Sequence, residues 1–519
     1  MNNYARPIVV FTLFFIMFTT CSVPYSVFEP PEYFTMEGRI FIDPNLPPRW
    51  MVRKVVAITE NGNILGEAVP TSDGTNMIWY IPVVAEENSI GTFWVELRDG
   101  ISSTIYYNGG SDERFISGGH YDLVVNQDSI NIPIGSYNQL KLIGKDASFP
   151  ADANYVLLRD IAVSGDWEPL CKTGSEPFSG VFDGHNHTIS GLKLVDNGSF
   201  QYIGLFGYMR GSAVKLAGLE NLNLKIANTE LRLSEVNEQC FGVAAGFAEN
   251  AFFDKVTVYG PSQGLRIEKN SGGNFYIGGI AGKIAGSFSV ISRSSTLFSV
   301  EVDSESAGLG HIGGIAGYAQ SYYGSISISK CYSTGLVAIS NMGQGAYAGG
   351  ILGYYGLLPD AAPKILDNST ISESYARGEV SSFGSGKGVI IAAGGIVGGS
   401  DTAGDEYLGY VGLAGTRSCA LMSSVTAAGQ DAAIDVYAGG FSGYQLADSE
   451  DCFQLNSMEL IPAPLIPPLP YPPPPPVDVT PIDKSVLTEK WFSGAPLAWD
   501  FSLTWQWDAR TGYPKFLWQ

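Results

Sequence analysis

The 519-residue sequence is poor in the side chains that most often carry chemistry. It has 4 histidines and 6 cysteines, no Cys-x-x-Cys or His-Glu-x-x-His motif, and only 16% charged residues. Because these residues are few and these motifs are missing, the sequence gives no support for a zinc site, a redox site or the common zinc-protease site. Lys and Arg number 30 against 51 Asp and Glu, giving a formal net charge of −21. This acidity argues against nucleic acid or anionic lipid as a partner.

The sequence also lacks long stretches with a 3.6-residue hydrophobic period, so helices are not expected to dominate. A glycine-anchored phrase is present instead, and it recurs at intervals of 35 to 45 residues. Such a period is typical of stacked repeat architectures. The seven copies are Gly204–Gly207, Val243–Gly246, Gly279–Gly282, Gly314–Gly317, Gly350–Gly353, Gly395–Gly398 and Gly440–Gly443.

A second column of small residues supports the repeat. Ser294, Cys331, Ser374 and Cys419 are each followed six residues later by valine. Side chains alternate along a strand, so the residue after each column member should face away from it. The pattern predicts a β-solenoid of three strands per turn and about eight or nine turns, on the order of 40 Å long. A propeller blade would need four strands, which a 35-residue repeat barely holds.

The N-terminus reads as a secretory signal peptide over residues 1–21. Arg6 precedes an apolar stretch, Ile8–Phe18, that is too short to span a bilayer. The text Phe18-Thr19-Thr20-Cys21 resembles a bacterial lipobox of the looser kind found in spirochaetes, which implies lipidation of Cys21. A plain cleaved signal with a chance cysteine is the alternative. We therefore expect a lipid-anchored protein of the outer membrane or cell surface, with its orientation open.

The composition divides the remainder into five parts. Residues 22–32 form a tether, and residues 33–135 hold six or seven short strand-like runs, the size of an immunoglobulin-like β-sandwich. Residues 136–460 are the solenoid, begun by a short helix that Ser136 and Gln139 would cap. Residues 461–484 form a proline-rich loop that should leave the solenoid, because proline lacks an N–H donor. Residues 485–519 are a Trp-rich C-terminal end piece.

From about residue 140 onward, the sequence resembles the GLUG-motif family of bacterial surface proteins. The resemblance rests on Asp160-Ile161, Trp167, the passage Phe178–Leu192, the glycine phrases and the closing Trp499–Trp518. It implies a right-handed parallel β-helix like those of adhesin-like molecules and of non-catalytic regions of immunoglobulin A peptidases. The fold class expected is therefore all-β, a β-sandwich followed by a right-handed parallel β-helix.

Two constellations could carry chemistry, each with a structural alternative. His185 and His187 are two residues apart and would share a strand face beside Asp183, as metal ligands do, although a tight turn explains them equally. Asp160 and Asp183 lie about one turn apart and could stack as the carboxylates of a polysaccharide lyase or glycosidase. Carboxylates beside turn glycines more often cap turns. No catalytic residue, metal or cofactor is predicted.

A binding function would lie on loops. The distance from the anchor glycine to the Ser/Cys column grows from 15 and 17 residues to 24 in two later repeats, so extra residues emerge at one corner, within 354–370 and 399–416. Such insertions are common binding sites, although neutral drift also produces them. The candidate ligand-binding residues are Tyr354, Tyr355, Asp401, Asp405, Tyr407 and Tyr410.

The expected function is a non-catalytic adhesin or scaffold that binds a glycan or a protein of a host or neighbouring cell. Two alternatives stay open: a carbohydrate-active enzyme on the same β-helix, and a structural envelope spacer without a ligand.

Overall fold

The structure is a computed structural model that describes residues 34–519 apart from short gaps. The gaps are 45–49, 60–63, 73–76, 84–89, 100–104, 110–112, 117, 126–129, 235–236, 271, 306, 323, 342, 344, 358–368, 386–388, 406–408, 430–434, 445–447 and 465–478. The predicted signal peptide, the lipidation site Cys21 and the tether lie outside the described residues. Within the described part, no helix is long and apolar enough to cross a membrane.

The first unit is a two-sheet β-sandwich, as predicted. One sheet contains Phe34–Ile42, Thr71–Ser72, Met77–Val83, Gly119–His120 and Leu123–Val125. The other contains Trp50–Thr59, Ile64–Ala68, Ile90–Asp99, Ile105–Gly109, Glu113–Arg114 and Ile130–Ile134. Their facing apolar side chains form a separate core around Trp79, Phe93 and Phe115.

The second unit is a parallel β-helix, which confirms the predicted fold class. Each full turn runs through side 1 (strands 1a and 1b), side 2 and side 3 (strands 3a and 3b). The prediction of three strands per turn is therefore wrong in detail, because sides 1 and 3 each bend in the middle. Strand 1a forms a ladder of nine described strands, which agrees with eight or nine turns.

The strands of side 1 form two adjacent ladders. Those of 1a are Asn154–Leu157, Val181–Asp183, Val290–Ser292, Ser327–Ser329, Thr370–Ser372, Ala414–Thr416 and Asp448–Glu450. Those of 1b are Ile161–Ala162, Asp166–Trp167, Thr188–Leu194, Ser295–Leu297, Tyr332–Thr334, Tyr375–Arg377, Cys419–Ala420, Phe453–Leu455 and Thr480–Ile482. Two long strands, Ala217–Ile226 and Ala251–Tyr259, belong to both ladders.

Side 2 is one ladder of seven strands, and side 3 consists of two ladders of seven strands each, 3a and 3b. Side 2 contains Glu230–Leu233, Leu265–Lys269, Val300–Ser304, Val337–Asn341, Val380–Gly384, Ser424–Gly429 and Glu459–Pro464. Strand 3a is Tyr202–Ile203, Gln239–Gly242, Phe275–Gly278, Leu309–Gly313, Gly345–Gly349, Ile390–Gly394 and Asp435–Gly439. Strand 3b is Phe206–Arg210, Ala245–Glu249, Ala281–Gly286, Ala316–Ser321, Leu352–Leu357, Val397–Ser400 and Ser442–Tyr444.

The Ser/Cys column marks the bend between strands 1a and 1b. Ser374 is fully buried; its Oγ donates to the carbonyl of Ser372 at 2.8 Å and accepts from the backbone N–H of Cys331, one turn earlier, at 3.0 Å. The residue before each column member turns the chain with a positive φ. Those residues are Lys255, Arg293, Lys330, Glu373, Arg417 and Asp451, with φ from 44° to 53°.

One member of the predicted column is wrong. Cys419 pairs with Tyr375, so it lies one position beyond the column and faces outward. The stacked residue is Ser418, whose Oγ accepts from the backbone N–H of Ser374 at 3.1 Å. In the three preceding turns the column residue lies six positions before the valine. Cys419 also lies six positions before Val425, but the true column residue, Ser418, lies seven before it, because this turn has one extra residue between column and valine. The valines themselves do stack, as predicted.

The glycine phrase is the bend between strands 3a and 3b, where side 3 is pressed inward onto strand 1b. A Cβ atom on Gly314 would lie 2.4 Å from Oγ of Ser333, and one on Gly350 would lie 2.5 Å from Cβ of Ala376. Both are closer than non-bonded atoms approach, so only glycine opposite a small residue fits. Glycine at these positions thus allows side 3 to bend inward against strand 1b.

The N-terminal end of the helix is covered as the sequence suggested. Ser136 N-caps the helix Tyr137–Leu140, and Leu140 and Ile143 are fully buried in the solenoid core. The sandwich continues directly into the solenoid, because strand Ile130–Ile134 pairs in parallel with Asn154–Leu157.

The proline-rich segment is less of a loop than predicted for 461–484. Glu459–Pro464 is the last strand of side 2, and Thr480–Ile482 is the last strand of 1b. Proline is tolerated in an edge strand, where its missing N–H faces no partner. Between these two strands, residues 465–478 lie outside the described part.

The C-terminal segment, residues 483–519, lies along the flank of the solenoid over strand 1b. It contains a 3-10 turn Lys484–Val486, a helix Glu489–Ser493 and a hairpin Trp505–Asp508/Tyr513–Phe516. Trp499, Trp505 and Phe516 pack with Tyr332 and Tyr375 in a core of their own. The terminal Gln519 donates to Oγ1 of Thr257 at 3.2 Å and to Oγ of Ser295 at 2.9 Å, on neighbouring turns.

Candidate functional site: an aromatic groove on side 3

The inward bend of side 3 leaves a groove on its outer face. Outward residues of 3a and 3b in the same turn face each other across it, and most are aromatic. We call this the aromatic groove. Its members are Tyr202, Tyr208, Cys240, Phe247, Tyr276, Lys283, His311, Tyr318, Tyr347, Tyr354, Tyr437 and Tyr444, placed by the registers of the two ladders.

The rings of the groove stack along the solenoid axis. Tyr276 and Tyr318 have centroids 4.7 Å apart and planes 16° apart. His311 stacks on Tyr354 at 4.9 Å and 18°, and Tyr347 meets the same Tyr354 ring edge-on at 4.6 Å. Offset-stacked and edge-to-face geometries are the favourable ones for aromatic pairs. The groove is therefore a continuous aromatic surface over several turns.

His311 lies at the centre of this surface and is neutral. It is only 3% exposed, and neither ring nitrogen has a hydrogen-bond partner among the described residues. Burial, reinforced by the nearby Lys283, lowers the pKa of His311 to about 3. The imidazole consequently acts as one more flat ring in the stack.

Lys283 is the charged member of the groove. Its ammonium group lies 5.2 Å from the ring centroids of Phe247 and Tyr276 and 5.3 Å from that of Tyr318, within cation–π range. Its Nζ atom is 3.2 Å from the Glu238 carboxylate. The rings and one carboxylate together compensate a charge that is almost fully buried.

The aromatic ladder is interrupted for one turn. The residues that lie there are Ala392 on 3a and Gly399 on 3b, and both are buried. A Cβ atom on Gly399 would lie 3.1 Å from the rings of Tyr347 and Tyr354, so these rings lean over the gap. Tyr347 and Tyr354 lie on one side of this gap, and Tyr437 and Tyr444, 5.1 Å apart, lie on the other. We call this gap the slot. A turn rises about 4.8 Å, so the slot separates two ring pairs by about two strand spacings.

The predicted ligand-binding residues of the two insertions do not all lie at the slot. Tyr354 belongs to the groove, and its hydroxyl donates to Oδ1 of Asp401 at 2.7 Å. Asp401 also accepts from the backbone N–H of Leu357 at 3.1 Å, so this carboxylate ties one turn to the next. Both insertions do leave from the corner between 3b and 1a, and the second contains the hairpin Thr402–Asp405/Gly409–Gly412.

Tyr355 must be removed from the candidate site. Its side chain is fully buried in the solenoid core, and its hydroxyl bonds to Oγ of Ser369 at 3.0 Å. Adjacent residues on a strand face opposite ways, so only one of the two tyrosines can be outside. Asp405 and Tyr410 lie on the hairpin strands, with side chains outside the described set, and Tyr407 lies outside the described residues.

The histidine pair is part of a turn, not of a strand as the metal-site interpretation required. His185 and Asn186 have φ of 48° and 61°. His187 faces Asp160, with Nδ1 3.3 Å from Oδ1, whereas His185 lies edge-on to Trp94 of the sandwich at 5.1 Å. Among the described residues no group of three or more His, Cys, Asp or Glu side chains could hold a metal ion.

Asp160 and Asp183 do not stack. Asp183 is level with Val156, and its Oδ1 accepts from the backbone N–H of His185 at 2.7 Å. Asp160 accepts from the backbone N–H of Thr188 at 2.9 Å. Both carboxylates therefore cap turns, which was the structural alternative.

Three other carboxylates line a common cavity of about 450 Å3 on side 2, a place that the sequence did not single out. They belong to Glu268, Asp303 and Glu305. Arg232 lies 3.0 Å from Glu268, and Arg266 lies 2.6 Å from Asp303. Two of the three carboxylates are therefore paired with a guanidinium of the preceding turn.

The five described cysteines are free and buried, as predicted for small apolar residues. Burial raises the pKa of Cys171, Cys331 and Cys452 to about 12. Their thiols are therefore protonated at neutral pH and are poor nucleophiles.

Comparison with known proteins adds little to this picture. No family model matches the chain, and no curated protein matches it. A solved structure from Bacteroides ovatus, described as a putative immunoglobulin A1 protease, is similar over 76% of this chain and 94% of that chain, with 20% identity and a TM-score of 0.45. At this identity and score, the likeness assigns no activity, substrate or partner to the protein.

Proposed function

We propose that the protein is a lipid-anchored surface protein that binds a glycan, without catalysis, along the aromatic groove. The observation that carries the proposal is the outward aromatic ladder of side 3 and its one-turn slot. The rings point outward from the strands, and those of Tyr202, Tyr318, Tyr354, Tyr437 and Tyr444 are only half-buried, so a ligand can reach them.

The groove offers what recognition of a sugar ring requires. Aromatic faces take the apolar face of a ring, while polar groups around them fix its orientation. The hydroxyls of Tyr318 and Tyr437, on half-buried rings, make no hydrogen bond to a described residue and can bond to ligand hydroxyls. Asp401 adds acceptor oxygens at the edge of the slot.

A filling substitution tests the slot. Ala392 is fully buried beneath the rings that border the slot, so Ala392→Phe must push these rings apart. We expect it to abolish glycan binding and to cost about 1–3 kcal/mol of stability, which leaves the protein folded. Ala338→Phe, on the outer face of side 2, is the matched control with the same added volume. The test is binding to an array of glycans and host proteins by both variants and the unmodified chain.

Unchanged glycan binding by Ala392→Phe would overturn the groove as the site. Binding only to proteins, lost in the same variant, would replace the glycan by a protein ligand. If nothing on the array binds at any concentration tested, the envelope spacer is the better account.

The side 2 cavity keeps an enzymatic alternative testable. We expect no release of reducing ends from polysaccharides by the purified protein, since Glu268 and Asp303 are held in ion pairs. Release that disappears in both Glu268→Gln and Glu305→Gln would instead establish a glycoside-cleaving enzyme.

A further inference from the structure

A second cavity lies between the C-terminal segment and the corner that joins strand 1b to side 2. Its volume is about 520 Å3, within the range of roughly 300–1,000 Å3 usual for small-molecule sites. It is remote in the fold from the aromatic groove, because sides 1 and 3 are different faces of the solenoid. We call it the flank pocket.

The corner beside the flank pocket lengthens in the last turns. In the turn of Ser374 the column residue is six positions from the valine that begins side 2. In the next turn, Ser418 and Val425 are seven apart, and Leu421 and Ser423 line the pocket within the added length. In the turn after that, Cys452 and Leu460 are eight apart.

Two cations without acidic partners line the flank pocket. Arg377 and Lys484 form no ion pair with a described residue. By contrast, Arg417, at the bend between strands 1a and 1b of the following turn, bonds to Glu373. Neither of the two pocket charges is therefore neutralised by a described carboxylate, and both face the same cavity.

Arg377 is held in place by an aromatic ring. Its guanidinium carbon lies 4.8 Å from the ring centroid of Tyr513, which belongs to the C-terminal hairpin. This stacking fixes the plane of the guanidinium, and a planar guanidinium recognises a carboxylate through two parallel hydrogen bonds. Lys484 supplies a second charge from the 3-10 turn of the same segment.

The rest of the lining suits a sugar ring. Thr334, Ser423 and Ser457 contribute hydroxyl groups, which both donate and accept hydrogen bonds. Leu421 and Leu455, 3% and 5% exposed, form an apolar floor. We propose that the flank pocket binds a carboxylated sugar unit, a uronate, with its carboxylate between Arg377 and Lys484 and its hydroxyls on the Ser and Thr side chains.

The proposal stands apart from the proposed function, because neither cation belongs to the aromatic groove. Titration calorimetry with trigalacturonic acid tests it, and the methyl ester of the same trisaccharide is the uncharged control ligand. Inorganic phosphate is the control for any small anion. The protein variants are Arg377→Gln and Lys484→Gln, with Arg232→Gln, an exposed arginine of side 2, as the matched control.

Trigalacturonate should bind, and its methyl ester should bind about tenfold more weakly or not at all, which corresponds to one charge-assisted hydrogen bond. Each pocket variant should lose about tenfold in affinity, while Arg232→Gln and Ala392→Phe keep it. Lys484 is exposed, so its variant reports on binding even if Arg377→Gln disturbs the C-terminal segment.

Three results would overturn the proposal. Equal affinity for the acid and the ester would remove the carboxylate from the interaction. Phosphate binding as tight as trigalacturonate binding would reduce the pocket to a general anion site. A failure of trigalacturonate to bind also rejects the proposal, whatever the aromatic groove binds.

Discussion

At the scale of single residues, the buried His311 gives the clearest prediction. Its pKa is lowered to about 3 by burial, whereas an unfolded histidine titrates near 6.5. Below pH 6.5 the unfolded chain therefore binds a proton that the native state does not. The free energy of unfolding should fall as the pH drops from 6.5 towards 3, by about 1.4 kcal/mol per pH unit from this group.

The variant His311→Phe isolates this effect, because it keeps a flat ring in the stack and removes the titration. Urea unfolding followed by tryptophan fluorescence at pH 7, 6, 5 and 4 would measure the difference. We expect the variant to gain stability relative to the unmodified chain at each step down in pH. A constant difference over that range would mean that His311 is protonated in the native groove.

Ser374 provides a second prediction at this scale, since its hydroxyl satisfies the buried N–H of Cys331. Ser374→Ala should lower the free energy of unfolding by about 1–3 kcal/mol, the cost of leaving a buried donor unpaired. Ser374→Cys should cost less, because Cys331 fills the equivalent place one turn earlier with Sγ 3.2 Å from a carbonyl. Ser423→Ala, on the surface, is the control, and equal losses for Ala and Cys would contradict the role of the hydrogen bond.

At the scale of elements, the C-terminal segment should stabilise strand 1b from outside. Trp505 is fully buried and stacks on Trp499 at 4.9 Å, beneath which Cys419 faces outward from the solenoid. Trp505→Ala should cost about 3–5 kcal/mol of stability. It should also make Cys419 accessible to an alkylating reagent, while Cys331, inside the solenoid, stays protected.

Mass spectrometry of the alkylated protein would identify the thiol that reacts. Leu503→Ala, at a site that is 54% exposed, is the matched control and should leave all five thiols protected. Labelling of both cysteines in Trp505→Ala would indicate global unfolding instead of release of the segment.

At the scale of the whole molecule, the sequence predicted the period and the β-helix because identical positions repeat at one depth. It predicted the sandwich because residues 33–135 contain six or seven short strand-like runs. It did not predict the indentation of side 3, because that depends on glycine meeting a small residue across the core, a contact far apart in the sequence. The signal was present: aromatic residues stand three before and four after the anchor glycine in several repeats, as with Tyr276, His311, Tyr318, Tyr347 and Tyr354. The loop tyrosines were chosen by composition, so Tyr354 and the buried Tyr355 could not be told apart.

The flank pocket lay beyond prediction for a related reason. When Cys419 is taken as the column residue, its distance to Val425 is the usual six residues. The extra residue that lengthens this corner is visible only when the distance is counted from Ser418. The Trp-rich sequence does not indicate that residues 483–519 lie along the flank of the solenoid. The position of this segment depends on which outer face its aromatic side chains can cover.

The in-register stacking of turns underlies every site described above, and electron–electron dipolar spectroscopy measures it directly. Spin labels at Glu230→Cys and Thr426→Cys would lie on one ladder of side 2, five strand spacings apart through Arg266, Glu301, Ala338 and Ser381. The buried native thiols should not take up label. The β-helix predicts a narrow distance distribution centred at about 24 Å. A broad distribution, or one centred well above about 35 Å, would contradict the stacked arrangement.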